Sequence, residues 1–120
     1  MAGSRKGTTG LRRLVNAARY SFGGLSAGWG EAAFRQELAL AAILVPLGLY
    51  LGASGTARAL LVGSVLLVPI VELANSAVEA AVDRISLDEH PLARRAKDLG
   101  SAAVMLCLAN AAAIWLLVLL

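Results

Sequence analysis

The sequence predicts an all-α membrane protein, an amphipathic helix lying at the surface followed by three transmembrane helices. Three observations lead there. Apolar residues make up 58% of the 120-residue chain and charged residues 16%, with a mean hydropathy of +0.72. A water-soluble globule of this length needs more polar surface than that. Three apolar stretches are long enough to cross a bilayer, and the basic residues flank them unevenly. The length allows one domain, 1–120, and no more.

The opening segment, 1–10, is polar and rich in Gly, Ser and Thr, with Arg5 and Lys6 but no apolar run behind them. It does not have the pattern of a signal peptide and is expected to be a disordered tail. Over 11–30, Leu11, Leu14, Val15, Ala18, Phe22, Leu25 and Trp29 fall within a stripe of about 100° when wound as a helix. Arg12, Arg13, Arg19 and Tyr20 lie off that stripe, as in a helix resting in the headgroup plane with its cations toward phosphate. Gly23, Gly24, Gly28 and Gly30 weaken its far end, so a break is expected near Gly30.

The first span is expected over about 32–52. Its uninterrupted apolar part, Leu38 to Leu51, covers only about 21 Å of a ~30 Å hydrocarbon core. The helix therefore takes in Glu31 to Glu37 as an interfacial extension, with Pro46 a candidate kink. Gly52, Ala53, Ser54 and Gly55 form a turn, and the second and third spans are expected over 57–82 and 99–120. Arg58 alone sits in the first connection. Every other basic residue precedes the first apolar run or follows the second span. The positive-inside tendency then puts the N-terminus and the second loop in the cytoplasm and the C-terminus in the periplasm. The single cysteine, Cys107, excludes an internal disulfide and is expected to serve packing.

The second span carries Glu72, Asn75, Ser76, Glu79 and Asp83, all within about 100° of one another on a helix. A lone carboxylate in hydrocarbon costs roughly 2.5–3.5 kcal/mol on insertion scales, so two of them imply a partner, a metal or water. An interhelical hydrogen-bond seam is the alternative, but Asn and Ser alone would serve it at lower cost. Glu72 and Glu79 stand about 10 Å apart along one face. That spacing suggests divided labour, with Glu79 meeting hydrophilic reactants and Glu72 reaching a lipid headgroup. Such carboxylates suit Mg²⁺, which shares its shell with phosphates. Glu31 is a further candidate ligand, with an ion pair to Arg35 as its plainer role.

The loop from Ser86 to Asp98 is short and mixed in charge, and Lys97 and Asp98 are expected to open the third helix near the exit of the second. A cation there can reach nucleotide phosphates. His90 has no second His or CxxC to make a transition-metal site. The chain has no GxxxxGK[ST] phosphate loop and no GxGxxG, so side chains and metal would have to hold a nucleotide.

Three stretches, Glu31-Ala-Ala-Phe-Arg-Gln-Glu37, Val71-Glu-Leu-Ala-Asn-Ser-Ala-Val-Glu-Ala-Ala-Val-Asp-Arg84 and Arg95-Ala-Lys-Asp-Leu-Gly-Ser-Ala-Ala-Val104, resemble the small prokaryotic diacylglycerol kinase family. The resemblance runs from about Leu11 to the C-terminus. It implies a homotrimer of three-span subunits with shared active sites, which transfers the γ-phosphate of ATP, with Mg²⁺, to diacylglycerol at the cytoplasmic face of the inner membrane. By the same resemblance Glu72 is the general base supported by Asn75, and Glu31 and Glu79 hold the metal. Nucleotide contacts fall on Arg13, Tyr20, Asp88, Glu89, His90, Lys97 and Asp98, and lipid contacts on Arg13, Arg35, Gln36, Glu72, Ser101 and Trp115. Asn16 and Phe22 depart from the family, standing where Lys and Trp are common.

Two alternatives compete. Relatives of the same fold phosphorylate undecaprenol; the Lys97-Asp-Leu-Gly-Ser101 run resembles the diacylglycerol branch more, and an assay with both lipids separates the two. A small multidrug transporter also combines few spans with a membrane Glu, but usually in the first span and with little Lys/Arg bias.

Overall fold

The computed structural model describes residues 9–120, which form four helices: α1 (Gly10–Trp29), α2 (Ala32–Leu51), α3 (Gly55–Ile85) and α4 (Pro91–Leu119). The tail expected over 1–10 lies outside the described residues through residue 8, and Gly10 already belongs to α1.

Each boundary has a local cause. The Glu31 N–H donates to the Gly28 carbonyl (2.8 Å) and the Gly30 N–H to Ala27 (3.1 Å), closing a tight turn after α1. The Arg35 guanidinium then reaches back to the Trp29 carbonyl at 2.6 Å, a cation satisfying one of the orphan carbonyls at a helix C-terminus. The Glu31–Arg35 ion pair weighed from spacing does not form among the described residues. At the other end of α2, Arg58 Nε donates to the Leu49 carbonyl (3.1 Å). A Cβ at Gly52 would lie 2.5 Å from Arg58 Cγ, so only glycine allows that approach. Ser54 caps α3 by accepting the Ala57 N–H at 3.1 Å.

The start of α4 corrects the sequence expectation. The helix begins at Pro91, six residues before the Lys97 expected to open it, because His90 Nδ1 accepts the Leu92 N–H (3.1 Å) as an N-cap and Pro91 occupies the first turn. Hydropathy marks only where a helix becomes apolar, whereas the cap marks where it starts. Arg94 and Arg95 are therefore helical, as Lys97 and Asp98 were already expected to be, and the loop shrinks to Ser86–His90. Likewise α3 extends from the expected 57–82 to Gly55–Ile85. Its 31 residues span about 47 Å at ~1.5 Å per residue, so roughly ten of them stand outside a ~30 Å hydrocarbon core.

The three long helices α2, α3 and α4 have the length and hydropathy of membrane spans. Packing centres on α3, which contacts both α2 and α4. The buried apolar core is small, Phe34, Ala41, Leu61, Val65, Val68 and Cys107 among the described residues, with Ser64 and Glu72 the buried polar ones. Large apolar side chains such as Ile43, Ile70 and Leu106 stay exposed on the outside, which suits a lipid solvent. Close approach substitutes for a large core: a Cβ at Gly48 would sit 3.1 Å from Leu61 Cβ. Trp115 Nε1 donates to the Leu61 carbonyl at 3.1 Å, fastening α4 to α3. Only Gly28 of α1 is buried, where a Cβ would meet Leu73 Cδ2 at 2.6 Å.

Candidate functional site

Helical periodicity brings Glu72, Asn75, Ser76, Glu79 and Asp83 to one side of α3, and burial falls off along that line. Glu72 is 7% exposed, Asn75 and Ser76 are half-buried, and Glu79 and Asp83 are open. The face thus leads from a sheltered carboxyl group to an accessible polar end within three turns.

Glu37 of α2 meets Glu72 side chain to side chain. Sequence periodicity did not single out Glu37, because contact between two carboxyl groups depends on the register of α2 against α3. Among the described residues, Glu37 Oε1 and Asn75 Oδ1 are buried oxygens that accept no hydrogen bond. Two unpaired acceptors therefore flank Glu72, one across the helix interface and one a turn further on. Buried polar atoms normally find partners, so these two oxygens are held where they are by packing rather than by hydrogen bonds.

At the open end of α3, Lys97 Nζ lies 2.8 Å from Asp83 Oδ1, with both side chains about 43% exposed. The pair ties the first turns of α4 to the last turns of α3. Asp83 was placed on the polar face by its spacing but given no role, since its partner lies across the interface. A cleft of about 270 Å³ there brings together Asp88, Glu89, His90, Lys97 and Asp98, five of the seven expected nucleotide contacts. The use of His90 Nδ1 as a helix cap leaves Nε2 as the nitrogen available to a ligand.

A larger cavity of about 570 Å³ separates α1 from α3 and is lined by Ser21, Gly28, Glu31, Leu73 and Ser76 among others. The Glu31 side chain makes no capping bond and no ion pair among the described residues, so its carboxylate is free for a ligand. A third, mainly apolar cavity of about 240 Å³ runs between α2, α3 and α4 from Glu37 to Trp115. The Trp115 indole N–H is already committed to Leu61; what it offers a lipid is its ring.

Not every expected residue converges. Arg13, Tyr20, Arg35, Gln36, Glu72, Asn75, Glu79 and Ser101 line none of these three cavities. The Arg35 guanidinium is engaged by the Trp29 carbonyl. The described residues contain no cluster of three or more His, Cys, Asp or Glu side chains able to hold a metal alone.

The family model described as prokaryotic diacylglycerol kinase matches residues 19–119. A diacylglycerol kinase of Pseudomonas aeruginosa is 49% identical over 116 residues, covering 96% of this chain and 94% of the relative. One from Escherichia coli is 48% identical over 113 residues, with 93% of each chain covered. A diacylglycerol kinase of Helicobacter pylori is 41% identical over 107 residues, covering 88% of this chain and 84% of its own.

Proposed function

Because the chain belongs to the prokaryotic diacylglycerol kinase family, we propose that it transfers the γ-phosphate of ATP to the free hydroxyl of diacylglycerol, giving phosphatidic acid and ADP. The observation that carries this reading is the sheltered Glu72 at the inner end of a polar face that opens onto a cation-bearing cleft.

Phosphoryl transfer asks for positioning, charge neutralisation and a base near the attacking hydroxyl. Glu72 takes the hydroxyl proton as the hydroxyl oxygen bonds to the γ-phosphorus, and the bond between that phosphorus and the β–γ bridging oxygen breaks to release ADP. Asn75 orients the base or the transferring group. Lys97 and His90 supply donors to the phosphates, Asp88, Glu89 and Asp98 bind the rest of the nucleotide, and Arg13 and Tyr20 close over it from α1. Arg35, Gln36, Ser101 and Trp115 contact the lipid, whose acyl chain suits the apolar groove between α2, α3 and α4.

The metal is Mg²⁺, held by Glu31 and Glu79. The donors fit it: both are oxygen ligands, Glu31 is unpaired beside a cavity, and Mg²⁺ keeps several waters while taking one or two carboxylates and substrate phosphates. When bound, the ion neutralises charge on the transferring phosphoryl group. With too few acids converging among the described residues to form a closed cage, the remaining ligands would be phosphate and water.

One chain encloses little volume, which supports a homotrimer with active sites shared between subunits. The helix α1, with cations off its apolar stripe, lies in the headgroup plane. The Lys/Arg bias supports a cytoplasmic N-terminus and a periplasmic C-terminus in the bacterial inner membrane. The test is transfer of label from [γ-³²P]ATP by the purified protein in micelles, with diacylglycerol or undecaprenol as acceptor. Labelled phosphatidic acid is the expected product; phosphorylation of the polyprenol alone would refute the substrate assignment.

A further inference from the structure

Resting on the kinase reading, we propose that Gly100 of α4 is a positioning residue for Asn75: its missing side chain leaves a notch that seats the Asn75 amide beside Glu72.

Two independent observations carry this. A Cβ at Gly100 would overlap Asn75 Oδ1, and the next nearest atoms are Asn75 Cγ at 3.2 Å and Cβ at 3.9 Å, so one side chain fills the space that glycine leaves. Asn75 Oδ1 is also buried without a hydrogen-bond donor among the described residues. A buried amide oxygen without a partner is unfavourable, so shape, rather than a hydrogen bond, holds it there. Other helical glycines differ: Gly23, Gly24 and Gly63 have open space where a Cβ would go, while Gly28 and Gly48 abut apolar side chains. Glycine is also a poorer helix former than alanine, so its presence inside α4 needs a packing reason, and Asn75 supplies one.

The seat has a chemical consequence. Asn75 follows Glu72 by three residues and precedes Glu79 by four, on the same face of α3. With its oxygen lodged against α4, the amide presents its NH₂ end to the site. A donor can steady a carboxylate or a phosphate oxygen. A carbonyl in that place would instead accept the hydrogen bond of the attacking hydroxyl and draw its proton away from Glu72.

The experiment compares wild type, Gly100→Ala, Asn75→Ala and the double variant, purified in micelles and assayed with labelled ATP and diacylglycerol. Gly100→Ala is expected to lower kcat about tenfold or more with KM for ATP within about twofold, because a small misplacement of a reacting group is costly. In the Asn75→Ala background the same substitution is expected to cost less than about twofold, since residues acting through one contact are not additive. If Gly100→Ala does not fold, recovery of folded protein in the double variant supports the seat, and failure of both overturns it. The side-chain amide signals of Asn75 in a ¹⁵N spectrum read the seat without substrate and are expected to shift in Gly100→Ala. Wild type that labels no diacylglycerol would defeat the kinase reading alone, and those signals would still decide on the notch. Unmoved signals, an unchanged kcat, or equal losses in both backgrounds would overturn the proposal.

Discussion

Replacing Glu72 by Gln separates the chemistry of this side chain from its packing. The two side chains have nearly the same shape, and Glu72 is 7% exposed on the α3 face that meets α2, so no cavity is opened. Glu37, which Glu72 touches, has a buried oxygen with no donor. The new amide supplies one. A hydrogen bond to a charged group contributes about 1.5–3 kcal/mol and one between neutral groups about 0.5–1.5 kcal/mol, so the variant is expected to be at least as resistant to unfolding as wild type. Activity moves the other way. A positioned general base contributes about 10²–10⁴-fold, which at ~1.36 kcal/mol per decade is roughly 2.7–5.5 kcal/mol of barrier. Steady-state label transfer from ATP reads the loss, with ATP binding near normal because removal of a base need not remove binding. Unfolding by SDS in mixed micelles reads stability. A variant that keeps kcat within about tenfold of wild type, or unfolds more readily while losing activity, would refute the assignment of Glu72 as a sheltered base.

Glu79→Gln is expected to shift the Mg²⁺ dependence of activity to higher concentration, and an unchanged titration would move the ligand elsewhere. Gly48→Leu forces bulk into a contact where even a Cβ lies 3.1 Å from Leu61 Cβ; overpacking of this kind costs about 1–3 kcal/mol. SDS unfolding at a lower detergent fraction is the expected result, and an unshifted curve would contradict the tight α2–α3 seam. Cys107→Ala removes a buried thiol remote in sequence from the polar face, and activity within about twofold of wild type is expected. A large loss in the assay would give Cys107 a role beyond packing.

The spans and the polar face of α3 were legible in the sequence for a simple reason. Hydropathy and a 3.6-residue period are properties of one segment, and Glu72 through Asp83 share a face whatever surrounds them. What escaped was set between segments or by backbone caps. The early start of α4 depends on His90 turning its ring to the Leu92 N–H, which no apolar count registers. Arg35 was placed near Glu31 by helical spacing, yet the turn at Gly30 brings the Trp29 carbonyl to its guanidinium instead. The meeting of Glu37 with Glu72, and of Lys97 with Asp83, depends on how α2 and α4 register against α3. That Asn75 fills the space at Gly100 shows only when α3 lies beside α4.

Mn²⁺ can replace Mg²⁺ as a paramagnetic probe, with amide signals of the isotopically labelled protein in micelles recorded as Mn²⁺–ATP is added. Broadening centred on residues 76–83 and 97–98, strengthened when a diacylglycerol is present, is the expected pattern. Broadening confined to the far turns around Ser54 or Leu120, or none at all near Glu79, would mean that the nucleotide never reaches the acidic face of α3 and would contradict the account at its root.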